Sequence, residues 1–195
     1  MDGFQKRSYR KQQKIIDAAY ELYKEQGIQA TKVKDIAFSA GVSQVSIYNY
    51  FKSKQALTLI VIKHMLEDYN RVYQTLLDQN NTSIKDKFEI LLRYEIETLG
   101  KFHNDFFESI FNPQDEEVIK LVNEFTEKRI VPIMRTLVQE GKQLSLIRED
   151  ISDYTIMFYL RLFTQIREME ITHQKKLLND LIRMFFDGVG GVRND

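Results

Sequence analysis

Thr31-Lys-Val-Lys-Asp-Ile-Ala-Phe-Ser-Ala-Gly-Val-Ser-Gln-Val-Ser-Ile-Tyr-Asn-Tyr-Phe-Lys-Ser-Lys54 holds two short runs of helical period on either side of one glycine. Val33, Ile36, Ala37 and Ala40 recur at i, i+3, i+4 and i+7, one face of a short helix for which Thr31 offers an N-cap. Gly41 then supplies the positive φ that a tight turn between helices commonly needs. Ser43 offers the next N-cap, and Ile47 and Phe51 (i, i+4) give the following helix its buried side. Ala37 has to be small, because the two helices cross there. Gln44, Val45, Ser46, Tyr48, Asn49 and Tyr50 are left to point outward. That face is short, uncharged and rich in amides and hydroxyls. It suits base-edge readout, in which Gln or Asn pairs adenine and an apolar side chain meets a thymine methyl. Thr31, Lys34, Tyr48, Tyr50 and Lys54 ring it with the hydroxyls and ammoniums that phosphate anchoring requires.

Upstream, Ile15, Ala19, Leu22 and Tyr23 repeat at helical spacing until Gly27, which is placed as a helix stop. Three short helices with a tight turn between the second and third make a helix-turn-helix unit. Downstream, Leu59, Ile62, Leu66, Tyr69, Tyr73 and Leu76 form one stripe, and Leu57, Val61 and Met65 a second. A helix apolar on two stripes is expected to pack on two sides. Thr82 or Ser83 can cap a helix carrying Ile84, Phe88, Leu91, Leu92, Ile96 and Leu99. Asn112-Pro113 is a break, and Val118 to Leu144 reads as a long helix that Pro132 kinks or divides. Ser152 opens a segment apolar nearly all round from Tyr154 to Phe163, and Leu177 to Phe186 is the last helical stretch. No run alternates with period two. The expected fold class is all-α, with a helix-turn-helix domain over residues 1–56 and a larger helical domain over 57–195.

Composition narrows the function. The 195 residues contain no cysteine, which removes disulfides, thiolate metal sites and cysteine nucleophiles together. Only 2 prolines and 8 glycines punctuate the chain, in keeping with helices. Basic and acidic residues number 28 each, yet they are unevenly placed. Residues 1–56 hold ten Lys/Arg and five Asp/Glu, so a basic head is joined to an acidic body of equal and opposite net charge. The polar start and the lack of a long apolar run make the cytoplasm the expected location, without membrane association. No Gly-rich phosphate loop, Gly-x-Ser-x-Gly elbow or His-Glu-x-x-His pair occurs, so an enzyme is not expected, nor a cofactor. His103, with Asn104 and Asp105 beside it, is not expected to hold a metal.

The pattern Thr-x-x-x-x-Ile-Ala-x-x-Ala-Gly-Val-Ser-x-x-x-Ile-Tyr-x-Tyr-Phe-x-Ser-Lys-x-x-Leu, preceded by a helix ending at Gly27, resembles the DNA-binding domain of the tetracycline-repressor (TetR) family over roughly residues 10 to 57. The resemblance implies a homodimer with two recognition helices and hence a palindromic double-stranded DNA operator. By position it assigns Thr31, Tyr48 and Lys54 to the DNA backbone, and Lys34, Gln44, Val45, Ser46, Asn49 and Tyr50 to bases or nearby phosphates. Packing under the recognition helix is the alternative role for Tyr48 and Tyr50. The leading expectation is a ligand-responsive repressor that leaves its operator when a small effector binds. An activator or DNA-organising protein without an effector is the alternative.

In the body, Ile156, Leu160, Phe163, Leu178, Leu181, Ile182, Phe185 and Phe186 offer apolar surface for a four-helix dimer interface. Phe88, Phe102, Phe106, Phe107, Phe111, Phe125 and Phe158 are candidates to line a hydrophobic effector cavity, with ordinary core as the alternative for each. Glu95 and Arg161 interrupt apolar faces, and a buried charge needs a partner: each other, a ligand, or water at an edge. The acidic body favours a neutral or cationic amphiphile near Glu95 over an acidic, lipid-like ligand near Arg161.

Overall fold

The computed structural model describes residues 3–78, 82–99, 101–111, 113–161 and 171–189. Every regular element among them is helical, so the all-α expectation holds. The side chains of Glu95, Phe111, Leu160, Arg161 and Leu178, and all of Phe163, lie outside what is described.

The chain forms two compact units. The first takes residues 1–69 and 101–125. It contains α1 (Gly3–Ala30), α2 (Val33–Ala40), α3 (Gln44–Phe51), most of α4 (Lys54–Leu77), α6 (Asn104–Phe111) and α7 (Glu116–Phe125). Its core is built from Ile15, Ala19 and Tyr23 of α1, Ile36 and Ala37 of α2, Ile47 and Phe51 of α3, Leu57, Ile62 and Met65 of α4, and Phe106 and Ile110 of α6. Those of α1 to α4 are the positions the apolar periodicity marks, whereas α6 was not expected as a helix. Ser43 caps α3 as expected, its hydroxyl accepting the Ser46 N–H at 3.1 Å. Gly41 has φ 65°.

Thr31 departs from expectation. The helix starts two residues later, Lys32 holds the N-cap position, and its backbone N–H donates to the Asp35 carboxylate at 3.2 Å. The Thr31 hydroxyl turns instead to the end of α1, donating to the Gly27 carbonyl at 2.7 Å. Gly27 itself has φ 83° and ψ 167°, so the helical path breaks there before a last turn to Ala30.

The second unit takes residues 70–100 and 126–195. It includes α5 (Ile84–Leu99), α8 (Val131–Gln143), α9 (Asp153–Arg161) and α10 (Ile171–Val189). Ser83 and Ser152 cap α5 and α9 through the N–H groups of Asp86 and Thr155, both at 3.1 Å. The long helix expected over 118–144 is divided: α7 ends at Phe125, and a π-helical segment, Thr126–Ile130, leads into α8. Pro132 stands at the start of α8, where its missing N–H is tolerated. Widening the turn ahead of it relieves the clash a proline ring makes with the preceding turn.

Candidate nucleic-acid interface

The pair α2–α3 is fixed from beneath. Ile36, Ala37, Ile47 and Phe51 are all buried, and the chain turns between the helices through the left-handed Gly41. An added Cβ at Gly41 would meet nothing, so φ and not space requires glycine there. The α3 helix is capped at Lys52, whose φ of 67° and ψ of −46° form a γ-turn closed by the Ser53 N–H donating to the Phe51 carbonyl at 2.7 Å. That feature was not readable, because lysine gives no signal for such a conformation.

With Ile47 and Phe51 inside, Gln44, Val45, Tyr48 and Asn49 are exposed, and Ser46 and Tyr50 are half-buried. Val45 is 67% exposed, so its methyl groups are free to make an apolar contact. On α2, Lys34 is exposed. Tyr50 has an internal contact as well: the Ser8 hydroxyl donates to its phenol oxygen at 3.4 Å. Its ring lies 6.2 Å from that of Phe51.

Two members of the sequence-derived set face inward. Thr31 is fully buried, its hydroxyl held between the Gly27 carbonyl and the Gln26 side-chain amide, which donates to it at 3.2 Å. Lys54 is half-buried, and its ammonium donates to the Ile28 carbonyl at 2.5 Å, covering the end of α1. Burial lowers the Lys54 pKa, and the charge of Asp105 partly offsets this. The cation at the head of α4 thus has a specific partner, which sequence position alone did not disclose.

The end of α1 is pinned by α6 as well. The Asp105 carboxylate accepts the Gln29 N–H at 2.7 Å, and the Lys24 carbonyl accepts the His103 N–H at 2.7 Å. Tyr20 meets the rings of Phe102 and Phe106 edge-on at 6.3 and 6.2 Å. Phe102, Phe106 and Phe107 are all buried, and the ring contacts of Phe102 and Phe106 join α6 to α1. In the second unit Phe88 packs on Phe185 and Phe186, with ring centroids at 5.4 and 6.1 Å. The phenylalanines expected to line one effector cavity are therefore divided between two cores. Phe158 is 59% exposed, while Phe125 is half-buried.

The residues expected at a dimer interface also differ in burial within the single chain. Ile156, Ile182 and Phe185 are buried within one chain. Leu181 and Phe186 are half-buried. Among the described side chains of α9 and α10, the large apolar ones left exposed are Tyr154, Phe158 and Met184. Periodicity marks an apolar face without saying which surface covers it. Among the described residues no cluster of metal-ligating side chains occurs, and no helix is long and apolar enough to cross a membrane.

A short helix presented outward by a left-handed glycine turn, with amide, hydroxyl and methyl groups on its free face, defines a helix-turn-helix head. The family model for bacterial regulatory proteins of the tetR family matches residues 15–59, the stretch that holds this head. The transcriptional repressor KstR2 of Mycolicibacterium smegmatis is 33% identical over 89 residues, covering 46% of this chain and 43% of that protein. The match thus spans less than half the length of that relative. In overall fold the chain resembles NemR of E. coli (TM-score 0.75, 11% identity, 93% of this chain and 98% of that one). It also resembles FadR of Bacillus subtilis in complex with stearoyl-CoA (TM-score 0.67, 21% identity, 91% and 98%).

Proposed function

We propose that the protein is a sequence-specific DNA-binding transcriptional regulator, not an enzyme. It acts as a homodimeric repressor that releases its operator when a small hydrophobic effector binds. The observation that carries this reading is the free face of α3: Gln44, Val45, Tyr48 and Asn49 are exposed while Ile47 and Phe51 anchor the helix. Gln44 and Asn49 are the base-reading amides, Val45 the methyl contact, and Ser46, Tyr48, Tyr50 and Lys34 hold adjacent phosphates. Thr31 and Lys54 support this face from inside. Residues 1–56 form the DNA-binding portion, and the remainder carries dimerisation and effector binding.

The names of the relatives support repression. The stearoyl-CoA held by the B. subtilis structure favours an effector with a long apolar part. Effector binding would shift the protein between two geometries that differ in operator affinity. Two heads related by a two-fold axis require inverted half-sites about one helical turn (~34–36 Å) apart or a multiple of it. Selection of bound sites from random duplex DNA, followed by footprinting, tests this directly. The expected result is a palindrome protected on both halves. A single asymmetric half-site, or a protein that stays monomeric at micromolar concentration, refutes it. On the selected site, stearoyl-CoA and neutral or cationic amphiphiles should raise the melting temperature and release the DNA. Release only by hydrophilic phosphorylated metabolites would overturn the effector class.

A further inference from the structure

Before the core of the head begins at Ile15, α1 runs through residues 3–14, outside the stretch that matches the family. Five basic residues lie there, Lys6, Arg7, Arg10, Lys11 and Lys14, and residues 3–16 contain no acidic residue. All five side chains are exposed, and none forms an ion pair among the described residues. At 100° per residue they fall within an arc of about 140°, and they extend over ~12 Å of helix. In a chain with zero net charge, this is a concentrated local cation surface.

Its position gives it a partner. The Ser8 hydroxyl, in the middle of this segment, donates to the Tyr50 phenol at 3.4 Å, so the cationic turns of α1 adjoin the C-terminal end of α3. We propose that this face of α1 is a second DNA-binding surface, which holds the phosphate backbone flanking the groove that α3 reads. The inference rests on the DNA-binding reading of α3 and adds a distinct term to it. Arg7, Arg10 and Lys14 follow at i, i+3 and i+7, one stripe that can meet successive phosphates. Because phosphates are the same in every sequence, this surface adds affinity without specificity.

The test compares wild type, Arg7→Gln/Arg10→Gln/Lys14→Gln and Gln44→Ala on a duplex selected by the wild type and on a random duplex of equal length. Salt titration reads the number of phosphate contacts, at ~0.9 in slope for each one lost. The triple variant should flatten the slope by up to ~2.7 for each head, or ~5 for the homodimer, on both duplexes and keep the selected sequence preference. It should also shorten the footprint at its outer edges. Gln44→Ala should keep the slope and lose preference. Should the triple variant lack a cooperative urea transition, the three single variants carry the test, at up to ~0.9 per head and ~1.8 per dimer each. Wild-type protein that binds neither duplex refutes the DNA-binding reading itself. Wild-type binding with an unchanged slope in the basic variants refutes the α1 surface alone.

Discussion

Replacing Gly27 by alanine should destabilise the first unit through two separable effects. Gly27 has φ 83° and ψ 167°, a region open in practice to glycine only, and a side chain there costs ~1–3 kcal/mol. The added Cβ would also stand 2.6 Å from His103 Nδ1, 2.9 Å from an Asp105 carboxylate oxygen and 3.0 Å from the Asp105 Cβ. Both residues would have to move, and the 2.7 Å bond from the Gln29 N–H to Asp105 would lengthen or break. At an exposed site that loss adds about 1 kcal/mol. The sum, roughly 2–4 kcal/mol, is a large part of the 5–15 kcal/mol typical of a folded protein. The chain has 10 tyrosines and no tryptophan, so urea denaturation can be followed by tyrosine fluorescence. With an m-value of about 2 kcal/mol/M the midpoint should fall by ~1–2 M. In a His103→Ala background, which removes the nearest obstacle, at least ~1 kcal/mol of the penalty should persist, because φ does not depend on neighbours. A midpoint shift below ~0.3 M would refute the reasoning.

Tyr23 is fully buried, and burial raises the pKa of its phenol, whose oxygen lies 2.9 Å from the Thr58 hydroxyl. The neutral phenol therefore stabilises the fold fully below the ordinary pKa of 10.0, and this contribution declines as pH rises above it. Tyr23→Phe should cost ~0.5–1.5 kcal/mol at pH 7 and reduce the loss of stability above pH 10, as read by urea midpoints at both pH values. Lys54→Ala should lower stability by about 1–2 kcal/mol, since its ammonium covers the Ile28 carbonyl, and leave the salt dependence of DNA binding nearly unchanged. A slope that fell by ~0.9 per head, ~1.8 for the homodimer, would mean that Lys54 also holds a phosphate. Gln44→Ala should relax preference at one base position of each half-site by roughly 1–3 kcal/mol, measured by binding to single-base variants of the selected duplex.

The head was legible because its signals are local. Gly41, the Ser43 cap and the Ile47/Phe51 pair each act within one turn of chain, and the observed geometry follows them. Thr31 and Lys54 were readable as polar residues at helix starts, but their partners, Gly27 and Ile28, depend on how α1 ends against its neighbours. The α6 contribution was out of reach for the same reason. Asp105 meets Gln29 across 76 positions of sequence, and no periodicity encodes such a pairing. In α9 and α10 the apolar pattern was visible, but the same pattern serves a core and an interface. Burial within one chain then separates Ile156, Ile182 and Phe185 from the exposed Tyr154, Phe158 and Met184.

The first unit is assembled from two pieces of chain, residues 1–69 and 101–125. A ribosome that has released the first seventy residues has delivered the whole helix-turn-helix, but not the α6 residues that hold the end of α1. At 5–20 residues per second, several seconds separate the two pieces. During that interval Gln29 and Tyr20 are without Asp105 and Phe106, and the nascent head has only its own short helices to rely on. The same topology bears on transplantation. A cassette cut after residue 56 carries the reading helix to a new protein but leaves behind the α6 contacts of α1, so a working chimera needs a host that supplies them.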